Sequence, residues 1–152
     1  MEDLSLHILD IVENSIAAMA KRIEIRIDED LTKDLVTIEI KDDGNGMDEW
    51  TLKKALDPFF TTRTTRRVGL GLSLLAQAAK DSEGTFDLSS SPGKGTTVNA
   101  TFRLSHPDCK PMGDIVQTMQ VLVTAHPGID FLYEHKSDNS TYCFDTREIS
   151  RE

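Results

Sequence analysis

The most constraining stretch of this chain is Ile23-Glu24-Ile25-Arg26-Ile27, where isoleucine and charge alternate with a period of two. Only an extended strand puts every second side chain on one face, so the isoleucines must meet a core while the charges meet water. A second alternating run, Leu35 to Ile40, follows an acidic turn from Asp28 to Asp34. The pair reads as a hairpin. A sheet with one dry face needs a covering layer, and the flanking segments supply it as helices.

Residues 4 to 20 have a helical period, with Leu4, Ile8, Ile11, Val12, Ile16 and Met19 returning to one side. After the hairpin, Asp42 to Met47 is a glycine turn, and Asp48 is placed to cap a short helix reaching about Leu56. Pro58 begins an irregular stretch rich in Thr and Arg that lasts to Val68, and Gly69 to Lys80 is helical again. Thr85 to Ser90 and Thr96 to Leu104 read as strands joined by a turn at Pro92-Gly93-Lys94-Gly95. This order predicts an α/β (α+β) two-layer sandwich, with a mixed, mostly antiparallel sheet covered by helices on one face. Residues 1–105 form the main domain. Residues 106–152 read as a short C-terminal α/β extension packed on or beside it: a linker from His106 to Gly113, a helix from Asp114 to Ala125, and strands at Ile129 to His135 and Thr141 to Phe144.

Composition narrows the function. A length of 152 residues suits one core. The net charge of -9 opposes general binding to nucleic acid or anionic lipid. No apolar run is long enough for a membrane span, and Met1-Glu2-Asp3 lacks the basic start of a secretory signal. The expectation is a cytoplasmic protein without a nucleic-acid or membrane partner. A phosphate-bearing ligand would need local help from backbone amides, a metal or a few arginines. Cys109 and Cys143 stand alone, which suits reduced thiols and speaks against zinc.

On the first helix, His7, Asp10 and Asn14 are three and four apart and project from one side. Asp10 and Asn14 offer oxygen donors of the kind Mg2+ takes when waters and phosphates complete its shell. A solvated helix face or a buried hydrogen-bonded pair would show the same stripe. In Asp42-Asp43-Gly44-Asn45-Gly46, the glycines let backbone turn close to a flat ligand, and the Asp42 carboxylate can accept from an exocyclic amine such as that of adenine. An ordinary acidic turn is the alternative; a calcium loop lacks its later ligands. Gly69-Leu70-Gly71 opens a helix just after Arg63, Arg66 and Arg67, a setting that attracts phosphate but is also used by plain turns and caps. Neither a Walker nor a Rossmann glycine loop is present. Gly93-Lys94-Gly95-Thr96-Thr97, taken alone, is a hairpin turn.

In this order, the segments resemble the ATP-binding domain shared by DNA gyrase, mismatch-repair proteins, heat-shock chaperones and histidine kinases, the GHKL or histidine-kinase-like ATPases of the Bergerat fold. The resemblance covers residues 4 to 104. It implies that Asn14 coordinates Mg2+ between the phosphates of ATP and that Asp42 reads the adenine amine. Gly44, Gly46 and Met47 then make the adenine-side turn. Asp57-Pro58-Phe59-Phe60-Thr61-Thr62-Arg63 resembles the phenylalanine box that leads into an ATP lid, bringing Phe59, Thr62 and Arg63 to the nucleotide. Gly69-Leu70-Gly71-Leu72 matches the phosphate-side box, and Thr96 belongs to the last box, at the adenine end.

The chain departs from the family pattern at three places. Asp10 stands where histidine kinases usually carry asparagine and where hydrolytic members and anti-sigma serine kinases carry glutamate. An acid there can act as a general base, although aspartate is a methylene shorter. Ala17 replaces a charged or basic residue, and Arg67 replaces the first glycine of the phosphate box, offering a guanidinium to phosphate instead. His7 reads as a packing residue, since no phosphoacceptor hairpin accompanies it. The resemblance therefore implies a stand-alone Mg-ATP-binding protein of signal transduction, an ATPase or a kinase acting on a separate protein, with Asp10 as its catalytic residue. Small members often work in pairs, so a homodimer is among the expected partners. The alternative is a non-catalytic module switched by ATP and ADP, whose partner surface lies beyond residue 105 and can be removed without loss of ATP affinity. A plain α+β domain whose glycine boxes are only turns is the third reading.

Overall fold

The computed structural model describes residues 3–55, 66–109, 111–138 and 140–146, with backbone alone at 55 and 66–70. The chain runs α1 (Leu4–Ala17), β1 (Arg22–Asp30), β2 (Leu35–Asp42), α2 (Glu49–Ala55), α3 (Arg66–Asp81), β3 (Phe86–Ser91), β4 (Gly95–Arg103), α4 (Ile115–Ala125), β5 (Asp130–Ser137) and β6 (Ser140–Asp145). The strands form a 6-stranded sheet in the order β3-β4-β2-β1-β5-β6. The β1–β5 pair is parallel and the other pairs are antiparallel. The mixed, mostly antiparallel sheet read from the sequence is therefore the observed one.

Alternation along β1 sorts the sheet into two faces. Ile23, Ile25 and Ile27 are buried together with Val36, Ile38, Ile40, Val98, Ala100 and Phe102. These side chains pack with Leu4, Ile8, Ile11 and Val12 of α1, Leu72 and Leu75 of α3, and Ile115, Met119 and Leu122 of α4. The other face carries charge. Arg22 bridges Glu24 at 3.1 Å and Asp145 at 3.3 Å, and Arg26 reaches Glu24 at 2.7 Å and Glu39 at 3.4 Å. Such partly exposed pairs contribute little stability individually, so the fold rests on its helix-covered face.

The helix boundaries follow local chemistry. Asp3 caps α1, accepting from the Leu6 amide at 3.0 Å, and Asp48 caps α2 through the Thr51 amide at 2.8 Å. Asp114 does the same for α4 through the Gln117 amide at 3.0 Å. At its other end α1 stops at Ala17, short of the expected Ala20. Met19 adopts φ 67, the Ala20 amide returns to Ser15 O at 3.1 Å, and the Met19 amide returns to Ile16 O at 3.0 Å. This is a Schellman ending with a left-handed residue. Met19, expected on the apolar stripe, is consequently 71% exposed. The tail strands add to the same sheet, with β5 lying along β1 from Arg22↔Asp130 to Asp28↔Lys136.

Candidate functional site

The Schellman ending of α1 turns its last carbonyls toward the loop after β2. The Asn45 amide donates to Ala18 O at 2.7 Å, and the Asn45 carbonyl accepts from the Gly93 amide at 2.7 Å. The loop is thus tied to α1 on one side and to the β3–β4 turn on the other. Gly46 has φ 73, and a Cβ there would run into the Ser91 carbonyl; Gly95 has φ 92, and a Cβ there would strike the carbonyl of Asp42. Any other residue at these positions would be strained and would push the segments apart. The Met47 amide donates to Ser90 Oγ at 2.8 Å, and Ser90 Oγ also lies 2.8 Å from Thr96 Oγ1.

Asp42 ends β2 inside this frame, directly opposite Thr96 in the register with β4. Its side chain accepts from Ser15 Oγ at 2.6 Å on one oxygen and from the Gly44 amide at 2.8 Å on the other. The residue is 8% exposed. A carboxylate offers about four lone-pair sites, so these two bonds leave it acceptor capacity. Next to it, burial pushes the Asp43 carboxyl up, but the amides of Arg22 and Lys21 donate to it and hold it below the usual carboxylate range. Asp43 therefore anchors the strand ends, while Asp42 is held between α1 and the loop after β2.

The second cluster lies along α1. Asp10 and Asn14 are one helical turn apart, and α3 crosses beside them. A Cβ on Gly71 would stand 3.4 Å from Asn14 Nδ2 and 3.5 Å from the Asp10 Cβ. The glycine of the phosphate-side box and the polar stripe of α1 therefore meet. Ser15 follows Asn14 directly, so one helix serves both clusters: Asn14 toward α3, Ser15 toward the end of β2. Among the described residues, no group of three or more His, Cys, Asp or Glu is placed to hold a metal. An ion beside Asn14 would draw most of its shell from phosphate oxygens and water, which suits Mg2+.

The expected residues fall into clear groups. Asp42, Gly44, Gly46, Met47 and Thr96 gather at the strand-end cluster, and Asp10, Asn14 and Gly71 at the helix cluster. Leu72 is buried in the core and braces α3 from within. α3 begins at Arg66, ahead of the expected Gly69, so Gly69 and Leu70 lie inside the helix and its free amides precede them. Arginine is a good helix former, which explains the early start. For Arg67, Gly69 and Leu70 only the backbone is described, and Phe59, Thr62 and Arg63 lie outside the described residues. His7 is buried within α1, as a packing residue should be.

Sequence reasoning missed Ser15 and Ser90. Ser15 had a readable signal, since it takes the next position of the stripe Ile8, Ile11 and Val12, where a hydroxyl faces the dry side. Ser90 had none, because β3 is serine-rich throughout.

This geometry is an α/β sandwich with a buried carboxylate held at a strand end and a polar helix facing the glycine-bearing helix α3. The sequence model for the family described as "Histidine kinase-, DNA gyrase B-, and HSP90-like ATPase" matches residues 2–106. The chain belongs to that family. Its relatives include the sensor histidine kinase YxdK of Bacillus subtilis, 34% identical over 108 residues, covering 65% of this chain and 32% of the relative. The signal transduction histidine-protein kinase AtoS of Escherichia coli is 36% identical over 108 residues, covering 70% of this chain and 17% of the relative. This chain therefore corresponds to a minor part of the length of those kinases. Among solved structures, the Aquifex aeolicus MutL ATPase domain complexed with ADP superposes with a TM-score of 0.57 at 16% identity, covering 91% of this chain and 61% of that one. The N-terminal domain of a DNA repair protein gives 0.60 at 17% identity, covering 94% and 52%. These two likenesses establish the shared fold.

Proposed function

We propose that this chain binds Mg-ATP and acts as an ATPase or protein kinase on a separate protein in cytoplasmic signal transduction. The observation that carries this reading is the Asp42 carboxylate, held by Ser15 and Gly44 at a buried strand end. An acceptor-only group fixed in that way selects a ligand with a donor, as the adenine amine is. Asn14 would hold Mg2+, which when bound neutralises phosphate charge. Gly71 leaves the α3 backbone close enough for phosphate to approach, and the arginines around 63–67 add charge-assisted hydrogen bonds. Asp10, one turn before Asn14, would orient or deprotonate the acceptor water or hydroxyl. Residues 1–105 carry every nucleotide contact in this reading, while 106–152 complete the sheet and face a partner protein or a second copy of the chain.

Calorimetry with ATP, with and without Mg2+, tests the binding step. The parent should bind, and Asp42→Asn should lose at least about tenfold in affinity, since its NH2 replaces one acceptor oxygen and leaves too few lone pairs for Ser15, Gly44 and a ligand amine together. Parent-like affinity in folded Asp42→Asn and Asn14→Ala variants would sink the reading. Asp10→Asn separates catalysis from binding: turnover should fall while ATP affinity holds. Tight ATP binding by the parent, with neither hydrolysis nor phosphate transfer, would leave the non-catalytic switch, a reading favoured by the short side chain of Asp10.

A further inference from the structure

At the ends of β2, β4 and β3, the register sets three polar residues in one row. Asp42 pairs with Thr96, and Thr96 pairs with Ser90. Directly paired residues of antiparallel strands share a face of the sheet. The row two residues further in is Ile40, Val98 and Leu88, which belong to the helix-covered core. The dry face therefore ends in a carboxylate and two hydroxyls.

Ser90 has the fullest set of bonds in this row. Its Oγ accepts from the Met47 amide at 2.8 Å, lies 3.0 Å from the Gly95 carbonyl oxygen, and lies 2.8 Å from Thr96 Oγ1. A serine hydroxyl has one proton and two lone pairs. The amide can only donate, so it takes one lone pair. The carbonyl can only accept, so it takes the proton. One lone pair of Ser90 remains for Thr96, whose hydroxyl then donates. If Ser90 donated to Thr96 instead, its lone pair would face the Gly95 oxygen. Three partners thus fix one arrangement of protons, and it leaves Thr96 Oγ1 with two lone pairs and no proton to offer.

We propose that Ser90 is a positioning residue that sets base specificity through Thr96, a role that rests on the nucleotide base lying at Asp42. By taking up the Thr96 proton, Ser90 makes Thr96 an acceptor opposite a second acceptor in the ladder. The pair suits a base edge that presents amine hydrogens, as adenine does, and opposes one that presents a carbonyl oxygen, as hypoxanthine does. A threonine hydroxyl without such a partner rotates to suit its surroundings. It would donate to the carbonyl and relieve the mismatch.

The test is calorimetry of the full chain with ATP and with ITP, Mg2+ present. The parent should prefer ATP at least about tenfold. In Ser90→Ala the Thr96 proton is released, so ITP affinity should rise at least about threefold while ATP affinity does not rise. A merely loosened site would weaken both nucleotides. Ser90→Thr keeps the hydroxyl and should restore the parental ratio. Adding Thr96→Val to Ser90→Ala should abolish the gain for ITP, because valine has no proton to give. A nucleotide-free measurement stands beside these: exchange of the Met47 amide, followed by NMR, should accelerate in Ser90→Ala and stay slow in Ser90→Thr. If the parent binds ATP and Ser90→Ala shows no gain for ITP, the role of Ser90 falls while the Mg-ATP reading stands. If the parent binds neither nucleotide, both fall. An ITP gain that survives Thr96→Val, or Met47 exchange that ignores Ser90→Ala, would also overturn the proposal.

Discussion

Ser15 and Asp42 are joined by a 2.6 Å hydrogen bond that ties the last turn of α1 to the end of β2. The hydroxyl donates and the carboxylate accepts, and both residues are buried. The Gly44 amide occupies the other carboxylate oxygen at 2.8 Å. Held from two directions, Asp42 is not free to turn toward whatever ligand arrives. Its remaining lone pairs meet a donor well and an oxygen badly, which is the difference between adenine and hypoxanthine at the same ring position.

Ser15→Ala removes one of those two restraints. A buried acceptor left short of a partner costs about 1–3 kcal/mol, and urea unfolding should show a loss of that size. ATP affinity should fall about three- to tenfold, and preference for ATP over ITP should shrink with it. Ser15→Thr keeps the hydroxyl and should restore the preference. Calorimetry with the two nucleotides reads both effects; an unchanged ATP-to-ITP ratio in Ser15→Ala would reduce the bond to a structural brace.

The strands and helices were legible because their periods are strong: Ile23, Ile25 and Ile27 fix a face unaided, and Asp48 and Asp114 announce helix starts. The failures have a common cause. Met19 sat in phase with the α1 stripe, yet the left-handed turn there is set by the bonds of Asn45 and Ala20 to α1 carbonyls, which no local pattern reports. Ser15 is in phase with the buried stripe of α1, but its partner, the carboxylate 27 residues later, is brought against it only by the fold. The glycine boxes showed where backbone approaches backbone, but the partners, Ser91 for Gly46 and Asp42 for Gly95, emerge only when β3, β4 and β2 are assembled.

Gly71 offers a cleaner separation of stability from binding. A methyl group there would make ordinary contact with Asn14 and Asp10. Gly71→Ala should therefore stabilise the chain by roughly 0.5–1 kcal/mol through helix propensity. Gly71→Val reaches further into the same gap and should displace Asn14. Its nucleotide affinity should drop at least about tenfold, with the fold retained. Thermal melts beside ATP titrations check both; undiminished ATP affinity in Gly71→Val would remove the α1–α3 approach from the site.

The acid limb of stability is set by carboxyls held low in the folded chain. At Asp3 the main cause is the Ser5 hydroxyl, followed by the Leu6 amide, and at Asp48 it is the Thr51 amide. Burial pushes Glu24 up, but its bonds to Arg26 and Arg22 outweigh that and bring it below its ordinary 4.5. For each group the unfolded chain takes up protons first as pH falls, so stability rises with pH across this window. It is fully present above the unfolded values and lost as pH drops through the folded ones. Urea midpoints should be level from neutrality to about pH 5 and then decline. Asp48→Asn should flatten the decline, because its amide does not titrate; an unaltered slope would exclude that cap as a contributor.

Removing residues 106–152 would strip the β1 edge of its parallel neighbour and take Ile115, Met119, Leu122, Phe131 and Tyr133 out of the core. A fully buried large apolar side chain contributes about 1.5–3 kcal/mol, so the five together are worth on the order of 10 kcal/mol as an upper figure. Whole domains are stable by only about 5–15 kcal/mol. The backbone adds to the loss, since the Leu4 and Ser5 amides at the start of α1 donate to Pro111 and Met112 carbonyls at 2.8 and 2.9 Å. A chain ending at residue 105 should therefore show no cooperative urea transition and no measurable ATP affinity. The outcome expected of a dispensable tail, a folded 1–105 fragment that binds ATP like the parent, would mean that β5, β6 and α4 lean on a core already complete without them.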